Sequence, residues 1–433
     1  MTNSAGPDPL PPEGATAHLW PRRGAPEFVG GNRVRLLEGG DELFPAMCAA
    51  IARAQREVWL ATYIFHSDEA SQRVAQALTA AGARGVRVGV VVDGFGSKAS
   101  LGRLRAWMPE PQVELTVFRP VDRWWSLLQP GQLRRLHQKL CVVDGETGFV
   151  GGINVIDDRI DLRHGRSEVP RLDFAIEVQG PLTASIEQTA RAIWSRAALG
   201  ADWREEVAAL ARSAEPVARA RSMLQRLRIV APARPPLAEP IPPVRAAFVV
   251  RDNLRQRRAI ERAYVEAVLR ARRRIELITP YFYPGRVFRR ALVAAARRGV
   301  QVRLLLQGKV DYRFAALAAQ VLYDELRVHG IRIYEYTPAF LHAKIAVVDD
   351  EWATVGSSNI DPLSLLLNLE ANVFVHDAEF AAGLSQRFDA AIAVSREVSD
   401  ATVPSGWWQV LRRGFVAWVA HWFLRMAGIS GRY

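Results

Sequence analysis

Two segments of this sequence repeat the same polar residues at the same spacing. In each copy a histidine precedes a lysine by two positions, an aspartate by seven and an asparagine by seventeen. The chain has only four lysines, and two of them occupy this motif position. Two matched sets of this kind predict one active site built from two halves. The residues are His137, Lys139, Asp144 and Asn154 in the first copy, and His342, Lys344, Asp349 and Asn359 in the second.

Paired imidazoles, ammonium groups and amides are suited to a phosphodiester. The lysines and asparagines neutralise and hydrogen-bond the non-bridging oxygens as negative charge builds up in the transition state. One neutral imidazole attacks phosphorus, while the other, protonated, gives its proton to the leaving alkoxide. An alcohol or water then resolves the phosphohistidine. Because the lysines supply the positive charge, we expect neither a metal ion nor another cofactor.

Two histidines in opposite protonation states each need an orienting partner. Asp173 and Glu370 lie at matching places downstream, each at the start of a predicted strand, and are the candidates. Asp144 and Asp349 belong to the catalytic motif but lie at strand ends. We therefore give these two a structural or supporting role. Because residues two apart in a strand face the same way, we expect the histidine and lysine of each copy to project together from a strand.

The repeat extends to the elements that position these residues. VWLATYIF at 58–65 matches IELITPYF at 275–282. An Ala-rich helix closed by Gly85 or Gly299 then leads into a second apolar strand in each copy. Strand–helix–strand units with continuous apolar strands predict a mixed, mostly parallel sheet flanked by helices. The predicted fold class is α/β, with two duplicated lobes related by a pseudo-two-fold axis and the active site between them.

Changes in composition divide the chain of 433 residues into five segments. No basic region followed by an apolar core begins the chain, so we expect no signal peptide. The two cysteines provide no disulfide framework, which favours a reducing compartment. We predict a disordered N-terminal tail (1–31), a first lobe (32–199), a helical and proline-rich linker (200–245), a second lobe (246–400) and an amphipathic, Trp-rich C-terminal tail (401–433).

The net charge of +12 and the pI near 10.2 indicate an anionic partner, either nucleic acid or an anionic membrane surface. Tryptophans favour a lipid: two lie in an apolar loop-like insertion, and three share one face of a C-terminal helix. The apolar run of that helix, 11 residues, is too short to span a bilayer. Packing of the same helix on a lobe is the alternative. The predicted membrane contacts are Trp124, Trp125, Trp408, Trp418 and Trp422.

The duplicated motif, His-x-Lys-x4-Asp-x6-Gly-(Gly/Ser)-x-Asn, resembles that of the phospholipase D superfamily, and the resemblance covers both lobes. Further segments resemble bacterial cardiolipin synthases of the B type. They are FVGGIN (149–154), DFAIEVQGP (173–181), RDNLRQRRAIERAY (251–264) and WATVGSSNIDPLSLLLNLEANV (352–373).

The resemblance implies that a phosphatidyl group moves from phosphatidylglycerol onto His137, and then onto the hydroxyl of a second phospholipid to give cardiolipin. It implies that His342 acts as the general acid and then as the base, although the symmetry of the motif permits the reverse. The phosphate would be bound by Lys139, Lys344, Asn154 and Asn359. Asp173 and Glu370 would orient the histidines.

Two alternatives stay open. A phospholipase D-type hydrolase or a nuclease would use the same residues to cleave phosphodiesters, although the regular interleaving of arginines and aromatics typical of a single-strand binding groove is missing. A non-catalytic protein that binds anionic membranes would use the charge alone. The expected partners are phosphatidylglycerol, a second phospholipid and an anionic membrane surface, without nucleic acid. We expect a peripheral protein of the bacterial inner membrane, made in the cytoplasm without a signal peptide.

Overall fold

The computed structural model describes residues 26–121, 135–162, 165–211, 244–251, 258–308, 322–361 and 368–399. Most of the N-terminal tail, the proline-rich linker and all five tryptophans assigned to membrane contact lie outside these residues. Within the described ranges, every helix is too short or too polar to span a lipid bilayer.

Each lobe alternates strands and helices in nearly the same order. The first lobe contains β1 (Val29–Glu38), α1 (Gly39–Arg53), β2 (Glu57–Thr62), α2 (Glu69–Ala83), β3 (Arg87–Asp93), α3 (Leu101–Trp107), β4 (Glu114–Phe118), β5 (Leu140–Val143), β6 (Thr147–Gly151), the hairpin β7 (Ile160–Asp161) and β8 (Gly165–Arg166), β9 (Phe174–Gln179) and α4 (Thr183–Ala211). The second contains β10 (Val244–Arg251), α5 (Ala259–Arg270), β11 (Arg274–Thr279), α6 (Arg286–Arg297), β12 (Gln301–Gln307), β13 (Arg332–Tyr336), β14 (Ile345–Val348), β15 (Trp352–Gly356), β16 (Glu370–His376), α7 (Ala378–Ala393) and β17 (Arg396–Glu397).

The strands of the two lobes form one continuous sheet. Among the described residues it has 15 strands in the order β17-β13-β12-β11-β14-β15-β16-β10-β1-β9-β6-β5-β2-β3-β4. The lobes meet where β1 pairs with β10 in antiparallel fashion. From this junction the order β9-β6-β5-β2-β3-β4 on one side matches β16-β15-β14-β11-β12-β13 on the other. The predicted α/β fold of two duplicated halves about a pseudo-two-fold axis is confirmed.

The prediction that this sheet is mostly parallel is wrong. Parallel pairing is confined to β2–β3–β4 and β11–β12–β13, the strand–helix–strand units. The motif strands β5 and β6 are joined by a turn of only three residues, so they have to pair antiparallel. Their uninterrupted apolar sequences arise because both faces of the sheet are covered, which does not depend on strand direction.

The ends of α2 and α6 follow the predicted pattern. Both helices stop two residues before a glycine in the left-handed conformation, Gly85 at φ 89° and Gly299 at φ 88°. A side chain at either position would be strained, whereas glycine turns the chain towards β3 and β12. The two helix–strand connections are therefore equivalent in the two lobes.

Helices cover both faces of the sheet. α1 and α2 pack on one face of the first lobe, and α5 and α6 on the same face of the second. On the opposite face, α4 and α7 pack on a single apolar cluster that includes Phe174, Ile186, Val373 and Phe388. Because this cluster contains residues of both lobes, the lobes share a close-packed core. That core fixes the position of each motif relative to the other.

Candidate active site

The two histidine–lysine segments lie directly before the hairpins β5–β6 and β14–β15. The regular strands begin at Leu140 and Ile345, one residue after Lys139 and Lys344. The expectation that histidine and lysine lie within a strand is therefore wrong. These segments cross towards the other lobe, although the carbonyls of Lys139 and Lys344 still accept from the N–H groups of Gly151 and Gly356 in their own lobe, at 3.3 and 3.2 Å.

Each lobe holds the other lobe's histidine through its backbone. Isolated parallel bridges cross between the lobes next to both histidines. The N–H of His137 donates to the carbonyl of Leu369 at 3.0 Å, and the N–H of His342 donates to the carbonyl of Leu172 at 2.9 Å. The duplicated motifs thus converge at the junction of the two halves.

The carboxylates that contact the imidazoles are also exchanged between the lobes. Nδ1 of His137 lies 3.0 Å from Oε2 of Glu370, and Nδ1 of His342 lies 2.6 Å from Oδ2 of Asp173. Sequence analysis selected these two acids as orienting residues but did not show that each serves the histidine of the opposite lobe. With Nδ1 bound to a carboxylate, Nε2 of each ring is the nitrogen left for chemistry.

Lys139 and Lys344 are almost fully buried beside the imidazoles, at 6% and 1% exposure. Nζ of Lys139 donates to the carbonyl of His137 at 2.6 Å, and Nζ of Lys344 donates to that of His342. Burial lowers the pKa of Lys139 to about 7 and that of Lys344 to about 8. Glu370 and Asp173, respectively, oppose this lowering. A phosphate anion would therefore restore their full charge.

The two imidazole–carboxylate pairs differ in their ionisation. Burial lowers the pKa of His137, and Glu370, although buried, has its pKa held below the ordinary value by His137 and Lys139. Burial, followed by Lys344, lowers the pKa of His342 further. Burial raises the pKa of Asp173 to about 7. In the free protein, a neutral His137 thus faces an ionised carboxylate, whereas the partner of His342 is partly protonated near neutral pH.

A glycine and a serine at matching positions explain part of this difference. A Cβ atom at Gly152 would overlap Oδ1 of Asp173, so glycine makes room for that carboxylate. At the equivalent position in the second lobe, the hydroxyl of Ser357 donates to Oε2 of Glu370. Hydrogen bonds to the charged form favour ionisation of a carboxyl group, so Ser357 lowers the pKa of Glu370.

The motif asparagines follow β6 and β15, and both are buried, at 3% exposure for Asn154 and 6% for Asn359. Oδ1 of Asn154 accepts a hydrogen bond from the N–H of Ile64 at 3.2 Å. This contact leaves the amide NH2 group of Asn154 to donate towards an oxygen of a bound phosphate.

Tyr63 is a site residue that sequence analysis missed. Its ring centroid lies 5.2 Å from that of His137, and Nζ of Lys139 lies 5.6 Å from the ring. The ring packs against the imidazole and the ammonium of the first motif and limits their contact with water. Pro280 occupies the matching place in the second copy, so the feature is not repeated. The aromatic end of the strand at 58–65 was the available signal.

Asp144 and Asp349 lie at the other end of the motif strands. A strand rises about 3.3 Å per residue, which places Asp144, five residues on, roughly 16 Å from Lys139. The Asp144 carboxylate accepts hydrogen bonds from the N–H groups of residues 55–57, and Asp349 does the same for residues 272–274. The structure therefore places both carboxylates on backbone turns. In the described part of the chain no three His, Cys, Asp or Glu side chains are arranged to hold a metal ion.

Comparisons with known proteins agree with this geometry. The family model described as "Cardiolipin synthase, PLD-like domain" matches residues 47–164 and 264–392. The chain is 34% identical to cardiolipin synthase B of Salmonella typhi over 398 residues, which cover 89% of this chain and 87% of that protein. It is 33% identical to cardiolipin synthase B of Escherichia coli (strain K12) over 400 residues, with the same coverage. Phosphatidylserine synthase of Haemophilus influenzae Rd KW20 has a similar fold, with a TM-score of 0.65 at 14% identity over 93% of this chain and 96% of that chain.

The duplicated sheet and the two motifs that meet at its centre define a phospholipase D-like protein. Within that class, the family model and the relatives that cover 89% of the chain show that it belongs to the cardiolipin synthase family. The family resemblance drawn from the sequence motifs is confirmed.

Proposed function

We propose that this chain is a cardiolipin synthase, a phosphatidyltransferase that joins two phospholipids through a phosphohistidine. The observation that carries the proposal is the pair of buried imidazoles, each bound at Nδ1 by a carboxylate of the other lobe. Their Nε2 atoms are left to act on one phosphorus between the lobes, with Lys139 and Lys344 beside it. The two lysines supply the positive charge that a phosphodiester needs, so no metal ion is required.

In the first step Nε2 of His137 attacks the phosphorus of phosphatidylglycerol, and the bond from phosphorus to the glycerol oxygen breaks. Protonated His342 gives its proton to that oxygen, so that glycerol leaves. Burial lowers the pKa of both histidines in the free protein. The arriving phosphate anion favours one imidazolium beside it, and in the proposed order that proton is on His342 while His137 stays neutral.

In the second step the hydroxyl of another phospholipid attacks the phosphohistidine. Its proton passes to neutral His342, the new oxygen–phosphorus bond forms, and the phosphorus–nitrogen bond to His137 breaks. The side-chain NH2 of Asn154 and Asn359, with the two lysines, binds the non-bridging oxygens throughout. Asp173 and Glu370 hold the rings and their tautomers, and the products are cardiolipin and glycerol.

Both substrates reside in a membrane, so the protein works at a membrane surface. The net charge of +12 supports attraction to an anionic bilayer, and phosphatidylglycerol is itself anionic. We place the protein at the bacterial inner membrane as a peripheral protein. Trp124, Trp125, Trp408, Trp418 and Trp422 are the proposed membrane contacts, and all of them lie outside the described residues.

Incubation with phosphatidylglycerol vesicles, followed by separation of the lipids, tests the proposed reaction. We expect cardiolipin and glycerol from the wild type, and neither from His137→Ala or His342→Ala, with vesicle binding retained in both variants. Phosphatidic acid as the sole lipid product would instead show a hydrolase. Turnover in both variants would contradict catalysis by the histidines.

A radiolabelled phosphatidyl ester of p-nitrophenol assigns the two histidines, because its leaving group needs no proton from His342. The His342→Ala variant then forms the intermediate but lacks the base that resolves it, so it should retain label on His137, whereas His137→Ala should retain none. Label on His342 in the His137→Ala variant would reverse the roles.

A further inference from the structure

The two halves of the site differ at one charged position beside the histidines. The sequence Arg171-Leu172-Asp173 in the first lobe matches Asn368-Leu369-Glu370 in the second. Leu172 bridges to the residue before His342, and Leu369 bridges to the residue before His137. Arg171 and Asn368 therefore occupy equivalent places, and only the His342 side has a guanidinium there.

Contacts of the backbone and side chain fix Arg171 in this place. Its N–H donates to the carbonyl of Asp158 at 2.9 Å, and its Nη2 donates to the carbonyl of Ile160 at 2.6 Å. The side chain is half-buried. Its charge reaches the site, because after burial and Lys344 it is the next cause that lowers the pKa of His342.

Among the described residues no carboxylate forms a direct ion pair with Arg171, although its charge acts on Asp158 and Asp173 and opposes the rise of both pKa values. Asp158, on the same loop, directs its Oδ2 to the N–H of Gly40 instead, and burial raises its pKa to about 6. Arg135, two residues before His137, does have an ion-pair partner. It lies 3.8 Å from the buried carboxylate of Asp93, so its charge is compensated within the protein.

The loop that carries Arg171 also exposes apolar side chains. Leu162, beside the β7–β8 hairpin, is 55% exposed, and Val169 is 42% exposed. An exposed apolar surface next to a cation suits a ligand that combines a phosphate with acyl chains. Free phosphate would gain nothing from these residues.

We propose that Arg171 binds the phosphate of the acceptor phospholipid and thereby directs the phosphohistidine to a lipid hydroxyl rather than to water. The inference rests on the proposed function, with His342 as the base that receives the acceptor proton. In phosphatidylglycerol a three-carbon bridge joins the phosphate to the attacking hydroxyl. A guanidinium close to His342 binds that phosphate through paired N–H groups while the hydroxyl reaches the phosphorus. The donor's leaving glycerol carries no second phosphate, so the donor does not use this contact.

The Arg171→Gln variant tests this assignment, since glutamine keeps a donor for the Ile160 carbonyl but removes the charge. Vesicles of phosphatidylglycerol in water offer both acceptors, and the ratio of cardiolipin to phosphatidic acid measures the choice. Loss of a charge-assisted contact with phosphate should lower this ratio by about 10- to 100-fold. Formation of phosphatidylethanol with added ethanol as acceptor should stay close to that of the wild type. Asn368→Gln, at the equivalent place near His137, is the matched control and should leave the ratio unchanged.

Each other outcome has a definite meaning. An unchanged ratio in Arg171→Gln would overturn the assignment, and so would an equal loss of lipid transfer and alcohol transfer. Arg171→Lys keeps the charge and should recover part of the ratio, which serves as the test where the glutamine variant does not fold. Phosphatidic acid alone from the wild type would instead defeat the proposed synthase function, because the ratio would then be zero before any substitution.

Discussion

Burial sets the charge of the groups at the centre of this site. Lys139 and Lys344 have their pKa lowered to about 7 and about 8, because almost no water reaches their ammonium groups. A phosphodiester brings the negative charge that these groups lack, so protonation of the lysines and binding of the substrate favour each other. In the proposed reaction the lysines would therefore stabilise charge most strongly once phosphate is bound, which is when the transition state needs it.

This coupling predicts a narrow pH profile. We expect kcat/KM to fall as the pH rises through about 7 to 8, because the free protein loses the charges of Lys139 and Lys344. The acid limb should lie below the ordinary histidine pKa of 6.5, because burial lowers the pKa of His137 and keeps it neutral. Initial rates on phosphatidylglycerol vesicles across the pH range measure both limbs.

The pH profile of kcat is the control for the profile of kcat/KM. It reports the complex, in which phosphate raises the lysine pKa values, so its alkaline limb should lie at higher pH. An alkaline limb at the same pH in kcat and kcat/KM would speak against the coupling.

At the scale of elements, the hairpins β5–β6 and β14–β15 build equivalent turns around different carboxylates. The glycine after β6 makes room for a carboxylate, and the serine after β15 donates a hydrogen bond to one. The first lobe thus combines the shorter acid Asp173 with Gly152, and the second combines the longer acid Glu370 with Ser357. Both combinations place a carboxylate beside a histidine ring, but only Glu370 receives a hydrogen bond from a side-chain hydroxyl at this position.

Substitutions of Gly152 and Ser357 test these two ways of holding a carboxylate. Gly152→Ala should lower kcat by about 100-fold, because the new Cβ displaces the Asp173 carboxylate from His342. Ser357→Ala removes the hydrogen bond to Glu370 and the one that the hydroxyl accepts from the N–H of Ala371, but it leaves the carboxylate in place and should lower kcat by about tenfold. Steady-state rates with circular dichroism as the folding control measure both. A larger loss from Ser357→Ala than from Gly152→Ala would contradict this account.

The turn after β5 is a separate element with a structural task. Asp144 lies at φ 52° and accepts hydrogen bonds from the N–H groups of Gln55, Arg56 and Glu57 at 2.8 to 2.9 Å. Asp144→Ala should lower the free energy of unfolding by about 2 kcal/mol, because these donors lose their acceptor. Glu146→Ala, which removes only an exposed ion pair, is the matched control. Thermal unfolding measures both, and a fall in kcat without a fall in Tm would show a direct catalytic role for Asp144.

At the scale of the whole molecule, one sheet and one shared core place both motifs within a single chain. The imidazole–carboxylate pairs cross the junction of the lobes in both directions. Neither lobe by itself contains an oriented histidine, because each carboxylate partner lies in the other. The pseudo-two-fold axis is thus a requirement of the site as well as a record of the duplication.

This internal pairing predicts that inactive variants do not complement each other. A mixture of His137→Ala and His342→Ala proteins should remain inactive in the vesicle assay, because every chain lacks one of the two imidazoles of its only site. A mixture of wild type with either variant, at the same total concentration, is the control and should show activity proportional to the wild type present. Recovered activity in the mixture of variants would indicate a site shared between chains.

The residues of the site were largely determined by the sequence. Repeated spacing fixes which histidine, lysine and asparagine correspond, and the downstream acids occupy matching places, so a local pattern is enough to select them. The helix ends at Gly85 and Gly299 were equally predictable, because a left-handed position strongly favours glycine.

Only the tertiary structure decided how these residues combine. The exchange of Asp173 and Glu370 between the lobes, the antiparallel pairing of the motif strands, and the contact of Tyr63 with His137 all join residues that are distant in sequence. Hydrophobic periodicity reports which faces of an element are buried, but it does not identify the partner that buries them. The sequence therefore determined the chemistry of the two halves, and the packing of one lobe on the other decided which groups act together.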